Sequence, residues 1–137
     1  MAGNGIVNIG SFTNNTGARI TIDRTSDRAI DNYGTVFNNS GSIIIGAAAS
    51  VGNHGLINQT VFNNNSGGEI QISNSNIYGF NNYSGTFTNS GLLSNNSAYF
   101  RNLGTLNLNS GANLVLNTNQ ANWPDATFNW NSGGTVT

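Results

Sequence analysis

One short phrase recurs along the chain at a spacing of 25 residues. It reads TVFNNSG at 35–41, TVFNNNSG at 60–67 and GTFTNSG at 85–91. The phrase is centred on Phe12, Phe37, Phe62 and Phe87, and an asparagine lies two positions after each: Asn14, Asn39, Asn64 and Asn89. A repeat of this length indicates an array of stacked units, so it constrains the fold more than any single motif.

Two further copies, TLNLNSG at 105–111 and TFNWNSG at 127–133, keep the asparagine and glycine but alter the phenylalanine. Aligned on their NSG triplets, they add Asn109 and Asn131 to the series. Alternating apolar residues follow the anchors, as in RITID, SIII, EIQI and NLVL. Period-two alternation is typical of β-strands. Ahead of each anchor lies another asparagine close to a glycine (Asn8, Asn32, Asn53, Asn82, Asn102), and these residue types favour the left-handed backbone of tight turns.

These features predict an all-β fold, a single-chain parallel β-solenoid (β-helix) of about six coils of roughly 20–25 residues. Coils in such a fold stack ~4.8 Å apart. Stacking would place the phenylalanines in one interior column. The asparagines would form a ladder in which each side-chain amide bonds the coil above and the coil below. The predicted ladder contains Asn14, Asn39, Asn64, Asn89, Asn109 and Asn131.

Two other architectures fit the repeat less well. A β-propeller blade has four strands and about 40 residues, which is longer than this repeat. Amyloid-like stacking of separate chains needs no internal repeat. We therefore predict that residues 1–137 form a single domain. Residues 19–31 are predicted to be a charged excursion between coils, and residues 117–137 an atypical terminal coil that contains Trp123 and Pro124.

The phrasing NxGT…FxNSGxIxI resembles the Asn/Gly-rich repeats of bacterial β-helical surface proteins, namely the filamentous-haemagglutinin and autotransporter-passenger adhesins. The resemblance is one of architecture and repeat style, and it covers about residues 5–137. It implies a parallel β-helix used for surface display, adhesion or fibre formation, outside the cell or at its surface. The N-terminal sequence MAGNGIVNIG lacks the basic start and apolar stretch of a secretory signal, so a cytoplasmic location also stays open.

The composition argues against several classes of partner. The formal net charge is −1 and the chain contains no lysine, so nothing electrostatic points to nucleic acid or to an anionic membrane. The longest apolar run, IIIGAAASVG at 43–52, is too short to span a bilayer, so membrane insertion is not expected. Without cysteine there can be no disulfide or thiolate site, and no cofactor is predicted.

Charged residues cluster in RITIDRTSDRAID. One interpretation is a loop in which Asp23, Asp27 and Asp31 bind a cation or a sugar hydroxyl. The other is a solvated segment whose alternating Arg and Asp pair with each other, and calcium loops have a denser carboxylate pattern. His54 has no second His, Cys or nearby carboxylate in sequence, so we predict no metal site and a surface position at a corner.

The sequence lacks the paired carboxylates of a glycoside hydrolase, so an enzyme is not expected. The leading functional hypothesis is a structural subunit that assembles head to tail with itself. Ile6, Ile9 and Val136 are the candidate contact residues at its two ends. The alternative is a carbohydrate-binding module that uses Tyr33, Tyr78, Tyr83 and Tyr99, since aromatic rings stack on sugars and Asn amides bond hydroxyls. A weaker third hypothesis is ice binding through a threonine row formed by Thr35, Thr60, Thr86 and Thr105.

Overall fold

The computed structural model describes residues 3–117, 120–122 and 126–137, and in these residues every helix or strand element is a β-strand. The strands are two to five residues long and are numbered β1–β18 in chain order. Each strand pairs in parallel with the strand three places later, so three consecutive strands make one coil. The described chain is therefore a three-sided parallel β-solenoid with six strands in each sheet. The repeat predicts the parallel solenoid, and the structure adds its three-sided cross-section.

The three sheets take their strands in strict rotation along the chain. Sheet 1 contains Ile6–Asn8 (β1), Arg28–Asn32 (β4), His54–Asn58 (β7), Tyr78–Asn82 (β10), Tyr99–Asn102 (β13) and Gln120–Asn122 (β16). Sheet 2 contains Ser11–Asn14 (β2), Val36–Asn39 (β5), Val61–Asn64 (β8), Thr86–Asn89 (β11), Thr105–Leu108 (β14) and Thr127–Trp130 (β17). Sheet 3 contains Arg19–Ile22 (β3), Ser42–Ile45 (β6), Glu69–Ile72 (β9), Leu92–Asn95 (β12), Asn113–Leu116 (β15) and Thr135–Val136 (β18). The outer surfaces of these sheets are called faces 1, 2 and 3.

The phenylalanine column is present as predicted. Phe12, Phe37, Phe62 and Phe87 lie in register on sheet 2, with successive ring centroids 4.6, 4.4 and 4.9 Å apart. The last three are fully buried, and Ile and Leu side chains from sheets 1 and 3 complete the core. Stacked rings of this kind add attraction beyond the apolar area that they bury.

The predicted asparagine ladder is present in its first four members. The Asn14, Asn39 and Asn64 Nδ2 atoms donate to the Oδ1 of the next coil's asparagine at 2.8, 2.8 and 2.7 Å. Each donor also reaches a carbonyl of the adjoining strand in that coil, as Asn64 does with Leu92 at 2.9 Å. The amides thus satisfy buried backbone oxygens at the corner between sheets 2 and 3.

A second ladder occupies the corner between sheets 1 and 2. It contains Asn8, Asn32, Asn58, Asn82 and Asn102, joined in that order by Nδ2-to-Oδ1 bonds of 2.8, 2.7, 2.8 and 2.7 Å. The sequence predicts four of these as turn residues, and it predicts Asn53 where the structure has Asn58. In the described chain the non-glycine residue with positive φ is Arg24, so these asparagines act through their side chains and not through a left-handed backbone.

The predicted ladder positions of Asn109 and Asn131 are wrong by one residue. Leu108 pairs with Asn89, and Trp130 pairs with Leu108, so neither of the last two coils supplies an amide to this ladder. The register follows the core: Leu106 is fully buried beneath Phe87, and a one-residue slip would put Asn107 there instead. Asn131 donates to Asn109 on an exposed row.

Alignment on the NSG triplets gives the wrong register because the corner between sheets 2 and 3 contains either two or four residues. In coils 1, 3, 5 and 6 it contains four residues, closed by a hydrogen bond such as Gly68 N to Asn65 O at 2.9 Å. The third residue is then a glycine with φ near +80°, for example Gly67 at 79°, which is the requirement of a type II turn. In coils 2 and 4 only two residues separate the strands.

The segment predicted as a charged excursion, residues 19–31, is mostly strand. Arg19–Ile22 is β3, and β4 begins at Arg28, so the connection between the strands is limited to residues 23–27. The atypical terminal coil extends all three sheets through β16, β17 and β18. Trp123 and Pro124, which are predicted to belong to this coil, lie outside the described residues.

Candidate functional site

All four tyrosines lie on or beside face 1. Tyr78 and Tyr99 begin β10 and β13 and lie opposite each other in the sheet. Tyr33 and Tyr83 directly follow β4 and β10, at the corner with sheet 2. Tyr33, Tyr83 and Tyr99 are about half exposed, at 48%, 50% and 48%. The residues predicted to contact sugars therefore share one surface of the solenoid.

Face 1 is shaped by an extra residue in three consecutive coils. Ala29, Gly55 and Gly79 occupy buried positions inside β4, β7 and β10, and β13 has no counterpart, so the register shifts between Tyr78 and Phe80. A Cβ on Gly55 would lie 2.5 Å from the Gly79 carbonyl oxygen, which explains the small residues there. The bulge sets the two outward rows of the face three residues apart in sequence instead of two.

A groove of about 370 Å³ lies between these rows, and its lining residues are Arg28, His54, Ile57, Gln59, Asn81, Tyr83 and Arg101. Asp31, Ile57 and Asn81 occupy outward positions of their strands yet are 3%, 6% and 0% exposed. Buried polar side chains on the outer surface of a sheet are unusual, because burial costs free energy unless each polar group is paired. This groove is the candidate functional site.

The positive charge of Arg28, at the coil 2 end of the groove, is balanced within the protein. Asp31 accepts hydrogen bonds from the Arg28 guanidinium and from Gln59 Nε2, the latter at 2.9 Å. Arg28 also lies 3.6 Å from an oxygen of Asp27. Within the charged cluster, Arg28 thus pairs with Asp27 and Asp31, whereas neither ion pair of the described residues includes Arg19 or Arg24.

The coil 5 end carries Arg101. Its guanidinium lies 4.3 Å from the centroid of the Tyr78 ring and 5.7 Å from that of Tyr83. The Arg101 Nε donates to Asn81 Oδ1 at 3.0 Å, and Nη1 donates to the Tyr78 hydroxyl at 3.1 Å. Two donors and two aromatic rings therefore fix the position of this cation.

Three buried polar atoms of the groove residues have no hydrogen-bond partner in the described part of the chain: Arg28 Nε, His54 Nδ1 and Asn81 Nδ2. His54 begins β7, in register with Arg28 and Tyr78, so its predicted position at a corner is wrong. Its ring stacks on Tyr78 with centroids 5.4 Å apart. Burial, followed by the positive charge of Arg28, lowers the pKa of His54.

The other predicted acidic residues do not converge on a site. Asp23 Oδ1 accepts from the backbone of Ala48 at 3.0 Å, and Asp27 Oδ1 accepts from Asn53 Nδ2 at 2.9 Å. Across residues 3–117 and 126–137, no three His, Asp or Glu side chains are grouped closely enough to hold a metal ion. In the same part of the chain, no helix is long and apolar enough to cross a membrane.

The proposed threonine row does not form. Thr86 and Thr105 lie in register on face 2, but the preceding coil places Val61 in line with them. Thr35 and Thr60 precede their strands and lie at the corner between sheets 1 and 2. The regular surface that ice binding requires is therefore interrupted.

Sequence reasoning found the tyrosines but missed Asn81 and Arg101. The position of Arg101 offered one signal, because it is the one arginine outside the charged cluster at 19–28. Asn81 is one asparagine among many, and only the strand register shows that it faces outward while its neighbour Asn82 faces the core. Comparison of the chain with protein-family models, with characterised proteins and with solved structures finds no match.

The lowered pKa of His54 predicts a specific pH dependence of stability. The unfolded chain, with a histidine pKa near 6.5, takes up a proton more readily than the folded chain. The free energy of unfolding should be at its full value above this pKa and fall as the pH drops through the lower pKa of the folded state. We expect the melting temperature to decrease between about pH 7.5 and pH 5.5, and to decrease less in His54→Gln. Equal slopes for the two proteins would contradict this assignment.

Proposed function

We propose that the protein is a structural, non-enzymatic subunit that associates end to end with further copies of itself, in a fibre or adhesin outside the cell or at its surface. The observation that carries the proposal is the change in burial along the phenylalanine column. Phe37, Phe62, Phe87 and Leu106 are fully buried, whereas Phe128 in coil 6 is 39% exposed and Phe12 in coil 1 is partly exposed. Apolar core is thus open to solvent at both ends of the described solenoid.

The backbone at these ends supports the same proposal. In the described part of the chain, the outer edges of β1, β2 and β3 and those of β16, β17 and β18 have no strand partner. Such edges are templates for pairing with another chain. The predicted contact residues lie there: Ile6 and Val136 are partly buried against the core, and Ile9 is 72% exposed.

The ladders favour a head-to-tail arrangement over a head-to-head one. Every ladder amide donates from its own coil toward the next coil of the chain, so the two ladders have a direction. This donor direction would be the same in both subunits of a head-to-tail contact and would reverse across a head-to-head contact. Contact between unlike ends repeats without closing, so it generates a filament.

Lysine in place of Phe128 should prevent this association, because it would put a charge on the open end of the column. Val61→Lys is a matched control, since Val61 is also 39% exposed but lies on face 2 of a central coil. Wild type and Val61→Lys should sediment faster as concentration rises and form rods in negative-stain images, whereas Phe128→Lys should stay monomeric. A wild type that is monomeric at every concentration, or a Phe128→Lys variant that associates normally, would contradict the proposal.

The second candidate function is glycan binding by face 1. The observation that favours it is the placement of all four tyrosines on or beside face 1, whose groove is lined by Tyr83 and by amide and charged side chains. Half-exposed aromatic rings can stack on sugar rings, and the groove supplies hydrogen-bond donors and acceptors. This function is compatible with a fibre, because each subunit of a filament would carry the same face.

Removal of the exposed rings should weaken glycan binding. We expect Tyr83→Ala and Tyr99→Ala each to lower affinity for oligosaccharides that score on a glycan array by about tenfold, near the upper end of what one aromatic contact contributes. Trp130→Ala is the control, because Trp130 is 58% exposed but lies on sheet 2. Identical array profiles for the wild type and both tyrosine variants would exclude this use of the face.

A further inference from the structure

The positive charge of Arg101 is not balanced by the part of the chain that the structure describes. It takes part in neither of the ion pairs there, both of which belong to Arg28. Asp31, the acidic residue of face 1, lies in coil 2, three strands away along the sheet. That separation is about 14 Å at a strand spacing of ~4.8 Å, which exceeds the Debye length at physiological ionic strength.

The guanidinium of Arg101 is held in one orientation by contacts that leave donors free. An arginine has five N–H groups, and Arg101 uses one on Nε and one on Nη1. The Tyr78 ring lies against the guanidinium, which limits its rotation further. The remaining N–H groups form a pre-oriented fork, the geometry with which arginine binds planar anions.

Asn81 supplies a second donor beside this fork. Its side chain is fully buried, its Oδ1 is fixed by Arg101 Nε, and its Nδ2 has no partner although it borders the groove. Asn81 and Arg101 pair directly across β10 and β13. A buried amide without a hydrogen-bond partner lowers stability, and here it lies next to a cation without a counter-charge. An anionic ligand would supply an acceptor to the amide and a counter-charge to the arginine.

We propose that Arg101 and Asn81 bind the carboxylate of an acidic saccharide, with the sugar rings resting on Tyr83 and Tyr99. A carboxylate is the acceptor that matches both features, because it is planar, negatively charged and able to accept from two donors. The half-exposed tyrosine rings favour a saccharide over an acidic peptide, and Gln59 offers an amide to its hydroxyls. The inference rests on the second candidate function and specifies its ligand class.

The test is calorimetric titration of the full chain with three ligands: tetragalacturonate, its fully methyl-esterified form and tetraglutamate. Wild type should bind tetragalacturonate best, and more weakly as salt rises. The methyl ester, which keeps the shape and loses the charge, should bind about 10- to 100-fold more weakly. Arg101→Gln should cause a similar loss with tetragalacturonate and leave the weak binding of the methyl ester unchanged.

Two further variants control for folding and for net charge. Arg19→Gln makes the same change of charge on sheet 3 and should bind as wild type does. Arg101→Lys keeps the charge but not the fork, so it should lose several-fold in affinity, and it replaces Arg101→Gln if that variant does not fold.

Equal affinity for the acid and its ester, or full affinity in Arg101→Gln, would overturn the carboxylate site while leaving glycan binding by face 1 intact. Binding of neither saccharide would overturn both proposals. Preference for tetraglutamate over tetragalacturonate would overturn the saccharide assignment in favour of an acidic peptide.

Discussion

The fold depends on a short amide side chain that points inward where a strand ends. At such a corner the chain turns, and carbonyl groups are left inside without strand partners. Asparagine carries a donor and an acceptor on a short stem, so it can bond the neighbouring coils and a corner carbonyl together. Asn64 shows the full set: it accepts from Asn39 and donates to Asn89 and to the Leu92 carbonyl, while remaining fully buried.

In coils 1 to 4 two corners are held in this way, and the third is not. The corner between sheets 3 and 1 follows Ile22, Ile45 and Ile72, whose side chains fill the core instead of forming a ladder. The connections after these strands vary in length, and the charged segment between β3 and β4 is one of them. The length of the connections therefore varies most at the corner that has no amide ladder.

The candidate site arises where sheet 1 departs from the regular strand pairing of the solenoid, at a bulge of one extra residue. The extra residue at Ala29, Gly55 and Gly79 changes the outward rows of face 1 without disturbing the inward ones, because Phe80 and Asn82 stay in register with Phe100 and Asn102 of β13, which lacks the extra residue. The groove can therefore carry buried polar groups such as Asp31 and Asn81 beside an intact core. Faces 2 and 3 lack this bulge.

The repeat made the solenoid, the phenylalanine column and four ladder members predictable, because identical residues at equal spacing must stack. The ladder positions of coils 5 and 6 were predicted wrongly as Asn109 and Asn131. The corner there has four residues, so the NSG triplet begins one residue after the ladder position instead of at it. Asn58 was missed because the phrase GNHG at 52–55, which has the composition of a corner, lies at the start of β7, whereas the corner follows Asn58 at the end of that strand. The groove was beyond sequence reasoning: it depends on which asparagine of an adjacent pair, Asn81 or Asn82, faces the core, and the bulge decides that.

The most direct test of the central claim compares two adjacent asparagines of β8 by equilibrium unfolding. Asn63 and Asn64 each donate to an asparagine in a neighbouring coil, but Asn63 faces outward and Asn64 is fully buried. Asn64→Ala would leave buried amides and carbonyls unpaired, so it should lower the free energy of unfolding by about 1–3 kcal/mol. Asn63→Ala should cost no more than about 0.5 kcal/mol, as is usual for a surface position. Equal losses for the two variants would show that the inward amides do not hold the coils together.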